Sequence, residues 1–177
     1  MKIWQRLLII WGGISLAVLI VFVSYLAYAL TLGNKASNDK ATNSDVRFVL
    51  NWCELGDNRI EKVIKSYTSA RSLTGDHLDA YSIKISHVDT SELSQIRNGV
   101  SRWYRCDTIP SILNDAISFT CNWPEEIQWF PKMEKLKSKE YYVYPVSIYC
   151  NGLHPSGAQL IFLNPNEKVI YFISTSK

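Results

Sequence analysis

Several chemistries are missing from this chain. The glycine loops that cradle phosphate, G-x-G-x-x-G and G-x-x-x-x-G-K-S/T, do not occur, so neither is there to hold a nucleotide. The four cysteines include no C-x2–4-C pair, which argues against a structural zinc site and a C-x-x-C redox centre. The G-x-S-x-G nucleophile elbow is absent too. Basic charge is not in excess: without Lys2 and Arg6 the chain holds 17 Lys and Arg against 16 Asp and Glu. Nucleic acid needs a basic stripe that such a balance does not supply. No internal repeat occurs. Finally, charge of either sign is missing from Leu7 to Leu32, a run of 26 residues.

That run is the most informative feature present. As a helix at ~1.5 Å per residue it reaches about 39 Å, enough to cross a hydrocarbon core of roughly 30 Å. Lys2, Arg6 and the α-amino group precede it with no acidic residue, while Lys35, Asp39, Lys40 and Asp45 cancel beyond it. The positive-inside bias then predicts residues 1–6 in the cytoplasm, 7–32 as a transmembrane signal anchor of the inner (cytoplasmic) membrane, and the rest in the periplasm or outside the cell. Trp4 and Trp11 near one end and Tyr25 and Tyr28 near the other suit the two interfaces. Ala27-Tyr28-Ala29 offers a small-x-small cleavage site, the mark of a signal peptide, but the apolar run exceeds the ~7–15 residues of such a core. No cysteine lies near residue 30, which excludes a lipid-modified N-terminal cysteine. Gly12-Gly13 is a point where a second helix could approach.

The cysteines, Cys53, Cys106, Cys121 and Cys150, all follow the anchor. Even in number and exported, they point to disulfides. The expected pairing is Cys106 with Cys121 and Cys53 with Cys150. The first would close a loop of ~15 residues and contribute about 3 kcal/mol through loop-closure entropy. The alternative is buried free cysteines acting as small apolar residues.

Residues 33–43, GNKASNDKATN, read as a flexible tether. Residues 44–177 then form one small α+β domain. Ser44 is a candidate cap for a helix over 44–55 whose buried stripe is Val46, Val49, Leu50 and Cys53, with Gly56 as the stop. Residues 58–69 fit either a helix behind Asp57 or a strand, and a hairpin of 59–68 with 78–86 is favoured because that strand needs a neighbour. A short helix from Asp89 or Thr90 to Ile96 ends near Asn98-Gly99, and Val100–Cys106 reads as a strand. Pro110 starts a helix to about 120 with Ile112, Leu113, Ala116 and Ile117 as its stripe. Residues 122–138 read as an irregular loop. Strands at 140–150, 158–163 and 168–174 make a C-terminal three-stranded antiparallel meander, bulged or at an edge near Pro145. The expected architecture is an antiparallel sheet with two or three helices packed on one face.

Candidates for chemistry are few. His77 and Asp79 form an H-x-D that shares one face of a strand, suited to a metal or to a base and its orienter. His87 is expected at the surface, and His154 sits in a turn. Glu125 and Glu126 are adjacent and point apart. The loop with Trp123, Trp129 and Phe130 is the best candidate for partner contact, since Trp is enriched at binding hot spots. Its alternative role is to cap the core. Lys132, Lys135, Lys137 and Lys139, with Glu134 and Glu140 interleaved, read as a solvated segment or as a contact for anionic headgroups. No cofactor is indicated. The expectation is therefore a membrane-anchored extracytoplasmic domain that binds another envelope protein in an interaction, inhibitor or immunity-like role. Its rivals are an envelope enzyme centred on His77 and Asp79, and a structural membrane subunit recognised through Gly12-Gly13.

Overall fold

The computed structural model describes residues 3–31, 35–72, 74–94, 102–122 and 127–176. Expectations resting on Lys2, the Arg6 side chain, Ile96, Asn98-Gly99, Val100, Trp123 and the Glu125-Glu126 pair lie outside the described residues. The chain divides into two compact units, Met1–Lys35 and Ala36–Lys177.

The first unit is one helix, α1, over Ile3–Thr31. It is long and apolar enough to cross a membrane. Its large side chains are exposed all along, from Leu8 through Val18 and Phe22 to Tyr28. A helix apolar all round has no polar stripe with which to lie on a soluble surface.

The second unit is built on a seven-stranded antiparallel sheet. Its strands are β1 (Ser37–Asn38), β2 (Ile60–Thr68), β3 (His77–Ile85), β4 (Tyr104–Arg105), β5 (Tyr142–Asn151), β6 (His154–Asn164) and β7 (Val169–Ser176), in the spatial order β1-β2-β3-β7-β6-β5-β4. The favoured hairpin is present: β2 pairs with β3, Val63 opposite Ile83 and Thr68 opposite Asp79. The meander is present as β5-β6-β7. Its first turn is tighter than expected, two residues at Gly152-Leu153 with Gly152 at φ 65, because β6 already begins at His154. The ladder shifts register between Pro145 and Ser147, where proline supplies no donor.

The helices do not share one face. Helix α4 (Ser111–Thr120) and the short α5 (Met133–Leu136) cover one side, where Leu113, Ala116, Ile117 and Leu136 meet Leu160, Phe162 and Ile173. Helix α2 (Arg47–Trp52) and the single turn α3 (Thr90–Leu93) cover the other, where Val46, Val49, Leu50 and Leu93 meet Ile161, Leu163, Ile170 and Phe172. The reason is in β6 and β7: Leu160-Ile161-Phe162-Leu163 and Ile170 with Phe172-Ile173 are buried on consecutive residues, so both faces need cover. Arg59 Nη1 and Nη2 donate to the two Glu92 carboxylate oxygens at 3.2 and 3.0 Å, which clamps α3 to the start of β2.

Two termini differ from expectation. Helix α2 is shorter than 44–55, and Ser44 does not cap it: the turn before it is held by Asp45 Oδ2, which accepts from Thr42 N and Oγ1 at 2.8 Å each. It stops at Glu54 (φ 59), ahead of Gly56, in a Schellman arrangement with Leu55 N donating to Leu50 O at 3.0 Å and Glu54 N to Asn51 O at 3.2 Å. The tether is also shorter than 33–43. Residues 37–38 form β1 against Tyr67 and Thr68. Asp39 N donates to Ser66 O, and Asp39 Oδ1 accepts from Ser66 N. Asn43 continues along β2, donating to Glu61 O and accepting from Val63 N.

The β6–β7 turn ends on Lys168 at φ 52, with Lys168 N donating to Pro165 O. A β-carbon there is strained, and glycine is the residue such turns favour. Lys168→Gly is therefore expected to raise stability by about 0.5–1 kcal/mol after its added unfolded-state entropy is counted. Urea unfolding of the full-length protein measures it.

Candidate functional site

The strands place polar residues in register at one end of the α2 side of the sheet. Asp79 on β3 lies opposite Ser174 on β7, Ser174 opposite Gln159 on β6, and Gln159 opposite Ser147 on β5. All four side chains share the face of Tyr81, Phe172 and Ile161, because side chains repeat every two residues. The next row outward is His77, Ser176, Gly157 and Tyr149. Helix α2 ends before these rows, and its last residue, Trp52, is 40% exposed. The result is a polar shelf beside an aromatic step. In that step Trp52 sits 6.0 Å from Phe172, and Tyr81 stacks on Phe172 at 5.8 Å and 12°.

The expectation that His77 and Asp79 share a face holds, but they do not act on one another. The Gly75 carbonyl, which only accepts, lies 3.0 Å from His77 Nδ1, so Nδ1 carries the proton. In the neutral ring Nε2 then accepts from Ser174 Oγ at 3.0 Å. Asp79 Oδ2 takes Arg71 Nη2 at 2.6 Å, while Asp79 Oδ1 is buried with no hydrogen-bond partner among the described residues. Ser174 and His77 have the spacing of a nucleophile and its base. Ser174 is only 3% exposed, however, so the contact works as a lock between β3 and β7. Among the described residues no group of three His, Cys, Asp or Glu could hold a metal. Ser147 Oγ donates to Gln159 Oε1 at 3.1 Å. Burial raises the Tyr81 phenol, opposed by its hydrogen bond to Thr68.

The other candidates are dispersed. Phe130 is buried, edge-on to Phe162 and Tyr171 at 6.3 and 5.6 Å, so it belongs to the core of the α4 side rather than to a contact surface. Trp129 is half-buried against the same core. A cavity of about 250 Å³ lies beside Phe130, lined by Cys121, Ile127, Met133 and Ile173. Of the four lysines, Lys135 pairs with Glu167 at 3.3 Å and Lys137 donates to Ser118 Oγ at 3.1 Å. Among the described residues of the domain the most open large apolar side chain is Leu153, 89% exposed at the tip of the β5–β6 hairpin, with Tyr149 58% exposed on the same hairpin. A hydrophobicity reading alone could not single out either residue, since nothing in sequence says which end of a strand outruns its neighbours.

The cysteines are unpaired. Cys53 belongs to the core of the α2 side, Cys106 and Cys121 to that of the α4 side, and Cys150 is exposed near the hairpin tip. The sheet thus separates Cys53 from the other core cysteines, and the expected Cys53–Cys150 and Cys106–Cys121 bridges are not formed. Burial pushes the Cys53 and Cys106 thiols up to about 12 and raises Cys121 as well. Comparison with known protein families, with characterised proteins and with solved structures finds no match.

Two outcomes follow from this geometry. Removing His77 strands the buried Ser174 hydroxyl, so His77→Ala should cost about 1–3 kcal/mol, whereas Ser174→Ala removes the need for a partner and should cost less; denaturant unfolding of both variants compares them. Thiol titration of the unreduced protein, begun on the native state and carried through unfolding, should find four thiols. Cys150 should react first and Cys53 and Cys106 only on unfolding, because the thiolate is the reactive form.

Proposed function

We propose that this chain is a single-pass inner-membrane protein, with its N-terminus in the cytoplasm, whose extracytoplasmic domain binds another envelope protein in an interaction or inhibitor role of the immunity type. The observation that carries the binding reading is the β5–β6 hairpin tip, where Leu153 and Tyr149 stand in solvent. Large exposed apolar and aromatic side chains of this kind anchor interfaces. Helix α1 supports the anchor, since it is charge-free from Leu7 onward and apolar on every side. Anchoring then confines the domain to partners at the membrane surface and raises their effective concentration. An envelope enzyme is the weaker alternative, because the one nucleophile–base pair on the shelf has its serine buried.

Cys150 supplies the topology test. A membrane-impermeant maleimide added to intact cells should label the native protein at this exposed thiol and fail on Cys150→Ser. Labelling only after lysis would overturn the orientation. For the partner, a photocrosslinking residue at position 153 should yield one discrete adduct in membranes, and Leu153→Asp should abolish partner capture without lowering the melting temperature. An adduct pattern identical to that from a site on α4 would remove the tip as the contact.

A further inference from the structure

We infer that the free edge of β5 pairs with the same edge of a second copy of this chain, antiparallel about a two-fold axis at Tyr149. The inference rests on the reading of the β5–β6 hairpin as a contact surface and of α1 as an anchor, and it names the occupant.

The edge is open along most of its length. Strand β4 meets β5 only at Tyr142 and Val143, and among the described residues no strand pairs with that edge further on. The two-residue turn makes Asn151 and His154 a hydrogen-bonded pair, so alternation turns the backbone groups of Cys150 and Ile148 away from β6. The residue opposite Cys150 agrees: it is Pro155, which has no N–H to offer. The nearby bulge falls on β6, at Ser156, and leaves the alternation of β5 intact. Among the described residues no backbone hydrogen bond reaches Ile148 or Cys150 from the outer side. Proteins commonly blunt such an edge with charge, yet Tyr141 to Asn166 hold no Asp, Glu, Lys or Arg.

Register selects the occupant. With the axis at Tyr149, Ile148 of each copy lies opposite Cys150 of the other, and each such pair exchanges both backbone bonds. The exposed Tyr149 side chains meet across the axis as a non-hydrogen-bonded pair, with Cα atoms ~4.5 Å apart. Leu153 comes level with Pro145 of the second copy, just short of Val143, where β4 takes up the edge. The open lengths of the two edges therefore match, and both exposed apolar residues of the hairpin fall within the contact. A charged strand would find no counter-charge along this edge, whereas β5 brings no charge to it. A ladder this short stays below the ~1,000 Å² of a self-sufficient interface, so confinement of both copies to one membrane supplies the rest.

The test uses the full-length protein in native membranes. Cys150 shares the α4 side of the strand with Ile148, so the two Cys150 thiols stand on one face, about 8 Å apart. Bismaleimidoethane should join them into a species of twice the chain mass, lost in Cys150→Ser. Adding Ile112→Cys on α4 to that variant should not restore it. Tyr149→Lys and Tyr149→Glu each set like charges across the axis and should lower the crosslinked fraction roughly tenfold. Expressed together with different tags, they should give a mixed species at the original yield. Melting curves check folding, and should a Tyr149 variant not fold, the Cys150 crosslink against the Ile112→Cys control decides. No doubled species, an equal one from Ile112→Cys, or one that Tyr149→Lys leaves intact overturns the inference. A position-153 adduct with a different protein, without the Cys150 crosslink, removes the second copy and leaves the contact reading standing. Absence of both removes the two together.

Discussion

Burial on both faces of β6 and β7 is the constraint from which the rest of the domain follows. Once Ile161 and Phe162 are both shielded from water, helical cover is needed above and below the same strands. The chain meets that need from two places, with α2 and α3 on one side and α4 and α5 on the other. The cover on the α4 side reaches Ala158, Ile148 and Leu78. On the α2 side the apolar cluster ends at the row of Tyr81, Phe172 and Ile161, and the next row is polar, with Asp79 and Ser174 in it still buried. The shelf is thus a by-product of unequal cover. Its polarity solves a solvation problem before it can serve any ligand.

What could be read in the sequence follows the range of the interactions involved. The stripe Val46, Val49, Leu50, Cys53 was legible, because helix periodicity is local, and all four are buried. The β2–β3 hairpin and the meander were legible from short turns between β-prone runs. The two-sided core was misjudged although its evidence lay in the open, since unbroken apolar strands imply cover on both faces. Helix ends were least legible. A left-handed Glu54 in place of glycine, and an Asp45 carboxylate serving Thr42 three residues back, are choices that propensity alone would not make. At the site, the shared face of His77 and Asp79 was legible from two-residue spacing. Their true partners were not: Ser174 lies 97 residues from His77 along the chain.

The cysteines show how compartment arguments can mislead. Even number and the expected export both favoured bridges, but the sheet stands between Cys53 and the opposite core, and Cys150 lies out at the hairpin. Three of the four occupy sites where a small apolar side chain fits and a thiolate does not. The domain rests on its core alone, which at this size is sufficient.

The fastening of residues 36–43 along β2 has a meaning for where the domain can be cut. These residues occupy the outer hydrogen-bonding edge of β2 through β1, the Asp39 backbone and side chain, and the Asn43 amide. A fragment started at Ser44, where composition alone sets the boundary, would leave the Ile60–Thr68 strand with an open edge. Open edges recruit strands from other molecules. Such a fragment would keep its core and lose its solubility, and its aggregation would be a property of the cut rather than of the protein.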